Sequence, residues 1–373
     1  MNGWHRTTLN GRSASRRFIL IGLAVAISIS VSVISISSYT DFGLRGVVHS
    51  VRNNFLFCPD EAKSIERWIQ PPANLFHRMN DRELFWMASL VPAIKDYPFN
   101  RTRKIAFMFL TLGPLPLAPL WERFFEGHEK WYSIYIHSIP SYLPKFHSSS
   151  VFYRRNIPSQ ITEWGRISLV DGERRLLANA MLDVSNERFV LVSESCIPLY
   201  NFSFIYTYIM NSRTSFVDSF DDPGKFGRQR YSYNMAPQVN VTEWRKGNQW
   251  FEVDRRLAVT LIGDTKFYPL FKEYCHPACY VDEHYFPTVL TIKAPQQIAN
   301  RSITWVDWSR GGAHPATYGT KDITADLFSR IKASRRLCNY NGNVTTVCFL
   351  FARKFSPSTL KPLLKISSAV LGF

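Results

Sequence analysis

The sequence predicts an α/β protein: a mostly parallel sheet with helices on both faces. Two observations carry this. Short continuous apolar runs at residues 105–110, 132–136 and 189–192 have the length and composition of strands buried on both sides. Between and after them lie segments whose apolar residues recur at three and four, the spacing of a helix that buries one face. Strand followed by helix, repeated along one chain, is the pattern of crossover connections in a parallel sheet.

Taken in order, residues 81–90 read as a short helix opened by Asn80 or Asp81. After the first strand, Leu120, Phe124 and Phe125 supply a helical face, and the second strand ends before His137. Residues 168–184 are the clearest helix, with Leu169, Leu176, Leu177, Ala180, Met181 and Val184 as its apolar positions. The third strand is followed by Pro198 and a helical stretch at 204–210. From 219 to 246 the pattern breaks into Asp, Gly, Arg, Tyr and Asn, and a loop this long inside a domain is more often functional than a linker. Helices resume at 255–262 and 267–274. Glu252 and Asp254 read as the acidic opening of the first of these. Residues 303–318 are loop-like, and an apolar run at 347–351 precedes Arg353 and Lys354.

Ahead of this domain, residues 18–36 form a run of 19 without a charge, about enough for a helix to cross a bilayer. Arg12, Arg16 and Arg17 precede it and no Lys or Arg follows before Arg45, which keeps the N-terminus cytoplasmic. The near alternation of Ile or Val with Ser over 27–37 is also a strand period, and small residues at Ser37 and Ser38 would suit a cleaved signal peptide. The apolar length and the arginine flank favour a signal anchor. The expected organisation is a cytoplasmic tail (1–17), a transmembrane helix (18–37), a luminal stem (38–101) and a globular domain (102–373).

Cys58, Cys196, Cys275, Cys279, Cys338 and Cys348 all follow the anchor, where disulfides persist; one to three bridges are expected, with all pairings open. Asn-x-Ser/Thr sequons at Asn100, Asn201, Asn240, Asn300 and Asn343 fit passage through the secretory pathway. The net charge of +16 points to a phosphate-bearing small molecule or an anionic membrane surface, not to nucleic acid.

Four segments have the residue types of a reaction site: 193–196 at a strand end, 219–230, 275–288, and 305–354. Glu194 lies where ligands meet open α/β sheets, beyond the carboxyl end of a strand; a capping carboxylate is its other reading. Asp282 and Glu283 sit among aromatics, where burial raises a carboxyl pKa and suits it to act as a base; a structural ion pair gives the same pattern. His137 after its strand is equally a satisfied core histidine. No Asp-x-Asp occurs, so a divalent-metal diphosphate site lacks its acids. Cys275, Cys279, His276 and His284 have a spacing near that of zinc ligands, but in a lumen disulfide use is favoured.

Six motifs in fixed order resemble one family. They are Trp164-Gly165-Arg166-Ile167-Ser168, Ser193-Glu194-Ser195-Cys196-Ile197-Pro198-Leu199, Ser219-Phe220-Asp221-Asp222-Pro223-Gly224, Trp244-Arg245-Lys246-Gly247 with Gln249-Trp250-Phe251-Glu252-Val253, Cys279-Tyr280-Val281-Asp282-Glu283-His284-Tyr285-Phe286, and Trp305-Val306-Asp307-Trp308-Ser309-Arg310-Gly311-Gly312. From about Lys104 to the C-terminus the chain resembles the plant branch of the core-2/I-branching β-1,6-N-acetylglucosaminyltransferase-like family. The resemblance implies a Golgi type II membrane glycosyltransferase with a GT-A-like fold. It implies inverting, metal-independent transfer of a sugar from a UDP donor to a glycan or glycoprotein, with no cofactor. It gives Glu283 the role of general base, Lys354 that of diphosphate-binding lysine, and His137 that of nucleotide contact. Arg310 is the candidate partner of Lys354, at a longer spacing than the family's, and Glu194 takes the donor side.

The physical logic agrees: an inverting transfer needs one base for the acceptor hydroxyl and positive charge on the leaving diphosphate. Trp250, Trp305 and Trp308 offer flat faces for a sugar ring, with core packing as the alternative. Asp221, Asp222, Arg228 and Arg230 in the long loop are the expected acceptor contacts. The rival expectations are a non-catalytic glycan-binding or scaffolding protein on the same fold and a plain adhesion domain.

Overall fold

Strand β1 (Lys104–Leu110) is the axis of the molecule, paired in parallel with β2 (Tyr132–His137) on one side and β3 (Asn186–Ser193) on the other. After β3 come the two-residue β4 (Ile197–Pro198) and then β5 (Glu252–Asp254), which returns antiparallel to β3. The main sheet therefore runs β2-β1-β3-β5, three parallel strands and one antiparallel edge. The computed structural model describes residues 74–92, 96–276, 279–333 and 337–373, all within one unit spanning Ile69–Phe373. The expected cytoplasmic tail, the expected anchor, most of the expected stem and Cys58 lie outside the described residues. Among the described residues no helix is long and apolar enough to cross a membrane.

The strands are buried on both faces, as continuous apolar runs require. Ala106, Met108, Leu110, Phe189 and Leu191 face one cluster; Ile105, Phe107, Phe109, Val190 and Val192 face the other. The first cluster is closed by α1 (Asp81–Ala88), α3 (Ile167–Met181), α5 (Arg255–Ile262), α6 (Phe267–Tyr274) and α7 (Val281–Lys293). The second is closed by α2 (Ala118–Phe125), α4 (Phe202–Met210), α8 (Ala325–Lys332) and α9 (Leu360–Ile366). With them lies a small sheet in which β9 (Phe351–Arg353) joins β4 to β6 (Thr304–Val306). Each buried Phe or Leu contributes roughly 1.5–3 kcal/mol. A hairpin of β7 (Cys338–Tyr340) and β8 (Asn343–Thr345) stands apart from both sheets.

Helix α1 begins on a capping box: Asn80 Oδ1 accepts from Glu83 N–H at 3.0 Å and Glu83 answers to Asn80 N–H at 2.9 Å. It docks on α3 through Arg175, whose guanidinium donates to Asp81 at 2.7 and 2.6 Å. Two expectations change. Glu252 does not open a helix; it lies in β5, fully buried, accepting from Arg188 at 3.0 Å, and Asp254 alone caps α5. Trp305 lies in β6 and not in a loop. The cysteines form Cys275–Cys279 and Cys338–Cys348, and Cys196 is a buried free thiol. With Cys275 and Cys279 bonded to each other, the zinc reading has no ligand pair.

Candidate functional site

Glu283 stands in the first turn of α7, where the helix dipole favours negative charge. Tyr280 starts that helix from the left-handed region at φ 59°, and Gly165 packs so close that a Cβ there would meet the Tyr280 ring at 3.1 Å. The carboxylate accepts from Arg230 Nη1 at 2.8 Å and from Lys246 Nζ at 2.5 Å. Both cations meet the same oxygen, Oε2, so Oε1 has no hydrogen bond among the described residues, and the side chain is a quarter exposed. Arg230 is held from behind by the Tyr280 ring, 4.1 Å from its guanidinium carbon. This geometry aims one oxygen and leaves the other open to a hydroxyl.

A proline brings Lys246 there. Pro287, inside α7, has no N–H to give to the carbonyl four residues back, and that carbonyl belongs to Glu283. Gly247 N–H takes the place at 2.8 Å. A Cβ on Gly247 would fall 1.8 Å from the Asp218 carbonyl oxygen and 2.8 Å from Pro287 Cγ, so only glycine fits. On the same helix face, Arg245 N–H donates to Thr288 Oγ1 at 3.0 Å and its carbonyl accepts from His284 Nδ1 at 2.7 Å. Burial holds His284 neutral, its pKa lowered to about 3, and its ring stacks on Trp244.

The segment then continues toward a second cluster. Gln249 Nε2 donates to Glu173 Oε1 at 2.8 Å, and the Trp250 ring lies under the Arg353 guanidinium at 4.1 Å. Five consecutive residues link the two ends, so the Cα atoms of Lys246 and Trp250 are at most about 14 Å apart. Arg353 and Lys354 leave β9 beside the turn that follows β3: Phe355 N–H donates to the Ser195 carbonyl at 2.9 Å. Burial, and for Lys354 the neighbouring Arg353 charge, lower the pKa of each, while the Glu194 carboxylate pulls both back up. Glu194, Arg353 and Lys354 thus gather beyond the carboxyl ends of the parallel strands, where open α/β sheets bind ligands.

The other expected residues divide. Arg310 is exposed on a loop tied to Lys354: Tyr318 N–H donates to the Lys354 carbonyl at 2.8 Å and Tyr318 O–H to Asp307 at 2.6 Å. Hydrogen bonds from Tyr318 and Ser309, with the nearby Arg310 charge, lower the Asp307 pKa against its partial burial. Trp308 is half exposed on the same loop, and the Trp305 ring lies tilted against Tyr318 at 5.9 Å. Trp250 is buried with one face covered by Arg353, so it packs as core. Arg230 is a partner of Glu283 itself. Arg228 is paired with Asp221 in an exposed fork at 2.7 and 2.5 Å, and Asp222 accepts from Gly224 N–H within its own turn at 2.7 Å. His137 is fully buried; Gln160 N–H donates to its Nε2 at 3.4 Å, Nδ1 has no partner, and burial lowers its pKa to about 4. Asn100, Asn201, Asn240, Asn300 and Asn343 are all exposed.

Sequence reasoning assigned no role to Lys246, Glu173, Gln249 or Arg353. Lys246 and Gln249 stood inside a quoted motif, which was the available signal; Glu173 gave none. Asp282, next to Glu283, is buried at 3% exposure. Among the described residues no group of three His, Cys, Asp or Glu could hold a metal ion. A cavity of about 480 Å³ opens along the outer edge of β2, lined by Tyr132, Tyr135, Arg154 and Arg155 among others, and none of the site residues lines it.

A carboxylate held by two cations lies one short segment from a basic pair beyond the carboxyl ends of a parallel sheet, an arrangement suited to an anionic substrate. The comparisons narrow this. Residues 105–332 match the family described as Core-2/I-Branching enzyme. The chain is 37% identical over 309 residues to the protein named Glycosyltransferase BC10 of Oryza sativa subsp. japonica, covering 71% of this chain and 76% of that protein. The chain belongs to the Core-2/I-branching enzyme family. That is a glycosyltransferase family, and it implies a nucleotide-sugar donor and an acceptor.

Proposed function

We propose that the protein is an inverting glycosyltransferase that moves a sugar, N-acetylglucosamine, from a UDP donor to a glycan or glycoprotein without a metal ion. Its place is the Golgi membrane, as a single-pass type II protein with the catalytic domain in the lumen. Glu283 is the base: Oε2 is held by Arg230 and Lys246, and Oε1 takes the proton of the attacking acceptor hydroxyl. Lys354 and Arg353, with Arg310 from the adjoining loop, carry the positive charge that the leaving diphosphate needs. Glu194 sets its negative charge near Arg353 and Lys354, and Trp308 offers a face to the acceptor sugar. The observation that carries the reading is the free Oε1 beside a doubly held Oε2, within one short segment of a basic pair that has no salt bridge among the described residues.

The test is product analysis with the full-length protein in detergent, a panel of UDP-sugars and candidate acceptors, with and without chelator. Transfer from UDP-N-acetylglucosamine with inverted anomeric configuration, undiminished by chelator, is expected. Loss of activity on chelation would end the metal-independent reading. UDP binding without product from any pair would favour a glycan-binding protein on this fold.

A further inference from the structure

Helices α3 and α7 pack together and bury two carboxyl groups that the proposed transfer does not use. Glu173 has no exposed surface and Asp282 is 3% exposed. Glu173 Oε1 accepts from Gln249 Nε2, while Glu173 Oε2 and Asp282 Oδ1 have no partner. The cations nearby are committed elsewhere: Lys246 and Arg230 both bond to Glu283 Oε2. His284 is held neutral against the Arg245 carbonyl, and His137, close to Gly172, is neutral in its own buried site. Two carboxylates buried without a cation of their own repel each other and lose hydration, and one proton between them removes the repulsion and one of the two hydration losses.

Building on the glycosyltransferase reading, we propose that Glu173 and Asp282 carry one proton between them and act as positioning residues for Glu283. Neutral Glu173 keeps its hold on Gln249, and through it on the segment that delivers Lys246 to Glu283. Once ionised, Asp282 sets its charge beside Glu283, opposing the cations that clamp the base.

The electrostatics agree with this division. Burial, then the Asp282 charge, raise Glu173 well above the carboxylate range. Burial, then the Glu283 charge, raise Asp282 to about 7, with Lys246 and Arg230 pulling it back. Asp282 is therefore the member that ionises first, and the second ionisation at alkaline pH adds a buried charge that the first one opposes. Both groups are raised in the folded state above their model values of 4.5 and 3.8. The stability they give is complete below those values and is lost as pH rises through about 7 and beyond.

The experiment compares full-length parent, Glu173→Gln and Glu173→Ala. In the parent, Tm falls from pH 5 to pH 9; in Glu173→Gln, which cannot ionise, the fall is clearly smaller. That arm needs no turnover, so it decides the shared proton even if no sugar is transferred. With turnover, Glu173→Gln keeps kcat at pH 7 within about twofold and moves the alkaline limb of the kcat profile up by about one unit or removes it. Glu173→Ala, which drops Gln249, lowers kcat about tenfold with UDP affinity unchanged. Equal Tm slopes in parent and Glu173→Gln overturn the proposal, as does an unmoved alkaline limb or a Glu173→Ala enzyme with parental kcat.

Discussion

Charge is arranged in opposite ways at the two ends of residues 246–250. At Glu283 an acid and two cations touch, fixed at 2.8 and 2.5 Å around a single oxygen. At Lys354 two cations sit half-buried with Glu194 near enough to be felt but not bonded to them. Among the described residues Arg353 has the Trp250 ring and the Cys196 thiol but no bonded carboxylate. A cation out of water without a bonded counter-charge costs free energy that a ligand anion can return. The first end is complete in itself and suited to hold a group in aim. The second is incomplete and suited to receive one. The same short segment touches both ends, Lys246 at Glu283 and Trp250 at Arg353, so their separation is bounded.

The comparison predicts separable losses. Glu283→Gln should cut kcat by about 10²–10⁴-fold, the usual worth of a general base, and leave UDP affinity within about twofold in a calorimetric titration. A parallel loss of UDP affinity would show that the two ends are one site. Lys354→Ala should weaken UDP binding and reduce kcat/KM by about 10²-fold, the effect of one lost charge at a leaving group. An unchanged UDP titration would remove Lys354 from the anion site. Lys246→Ala leaves Arg230 still holding Oε2, so kcat should fall only about tenfold, or 1.4 kcal/mol in the barrier, at constant UDP affinity. A rise in kcat would mean that Lys246 restrains the base more than it aims it. Arg228→Ala breaks an exposed ion pair with Asp221, and neither Tm nor kcat should move measurably.

Much of the scaffold was legible because β1, β2 and β3 are buried on both faces and read as continuous apolar runs. The antiparallel edge strand was not: β5 has three residues, two of them acidic, and Glu252 meets Arg188 on β3 inside the sheet. Glu283 and Lys354 could be named from the family resemblance, each inside a local motif. Lys246 could not be joined to Glu283, because that contact depends on a carbonyl released by Pro287 and taken up by Gly247, forty residues away in sequence. Glu173 was hidden for a different reason. Helix α3 is buried on every side from Gly172 to Met181, so no polar stripe marks which of its charged residues lies inside.

Helix α1 bears on how the protein can be handled. Arg175 is nearly buried and meets Asp81 through two nitrogens and Gln160 through one, while His77 bonds to Asn179 on the same helix. A truncated form starting at residue 102 would discard Asp81 and His77, leaving the Arg175 guanidinium with only the Gln160 amide oxygen of these partners. Gln160 also supports His137, so the damage would travel to the end of β2. A secreted version for enzymology is better begun ahead of residue 74, so that the arginine keeps its counter-ion.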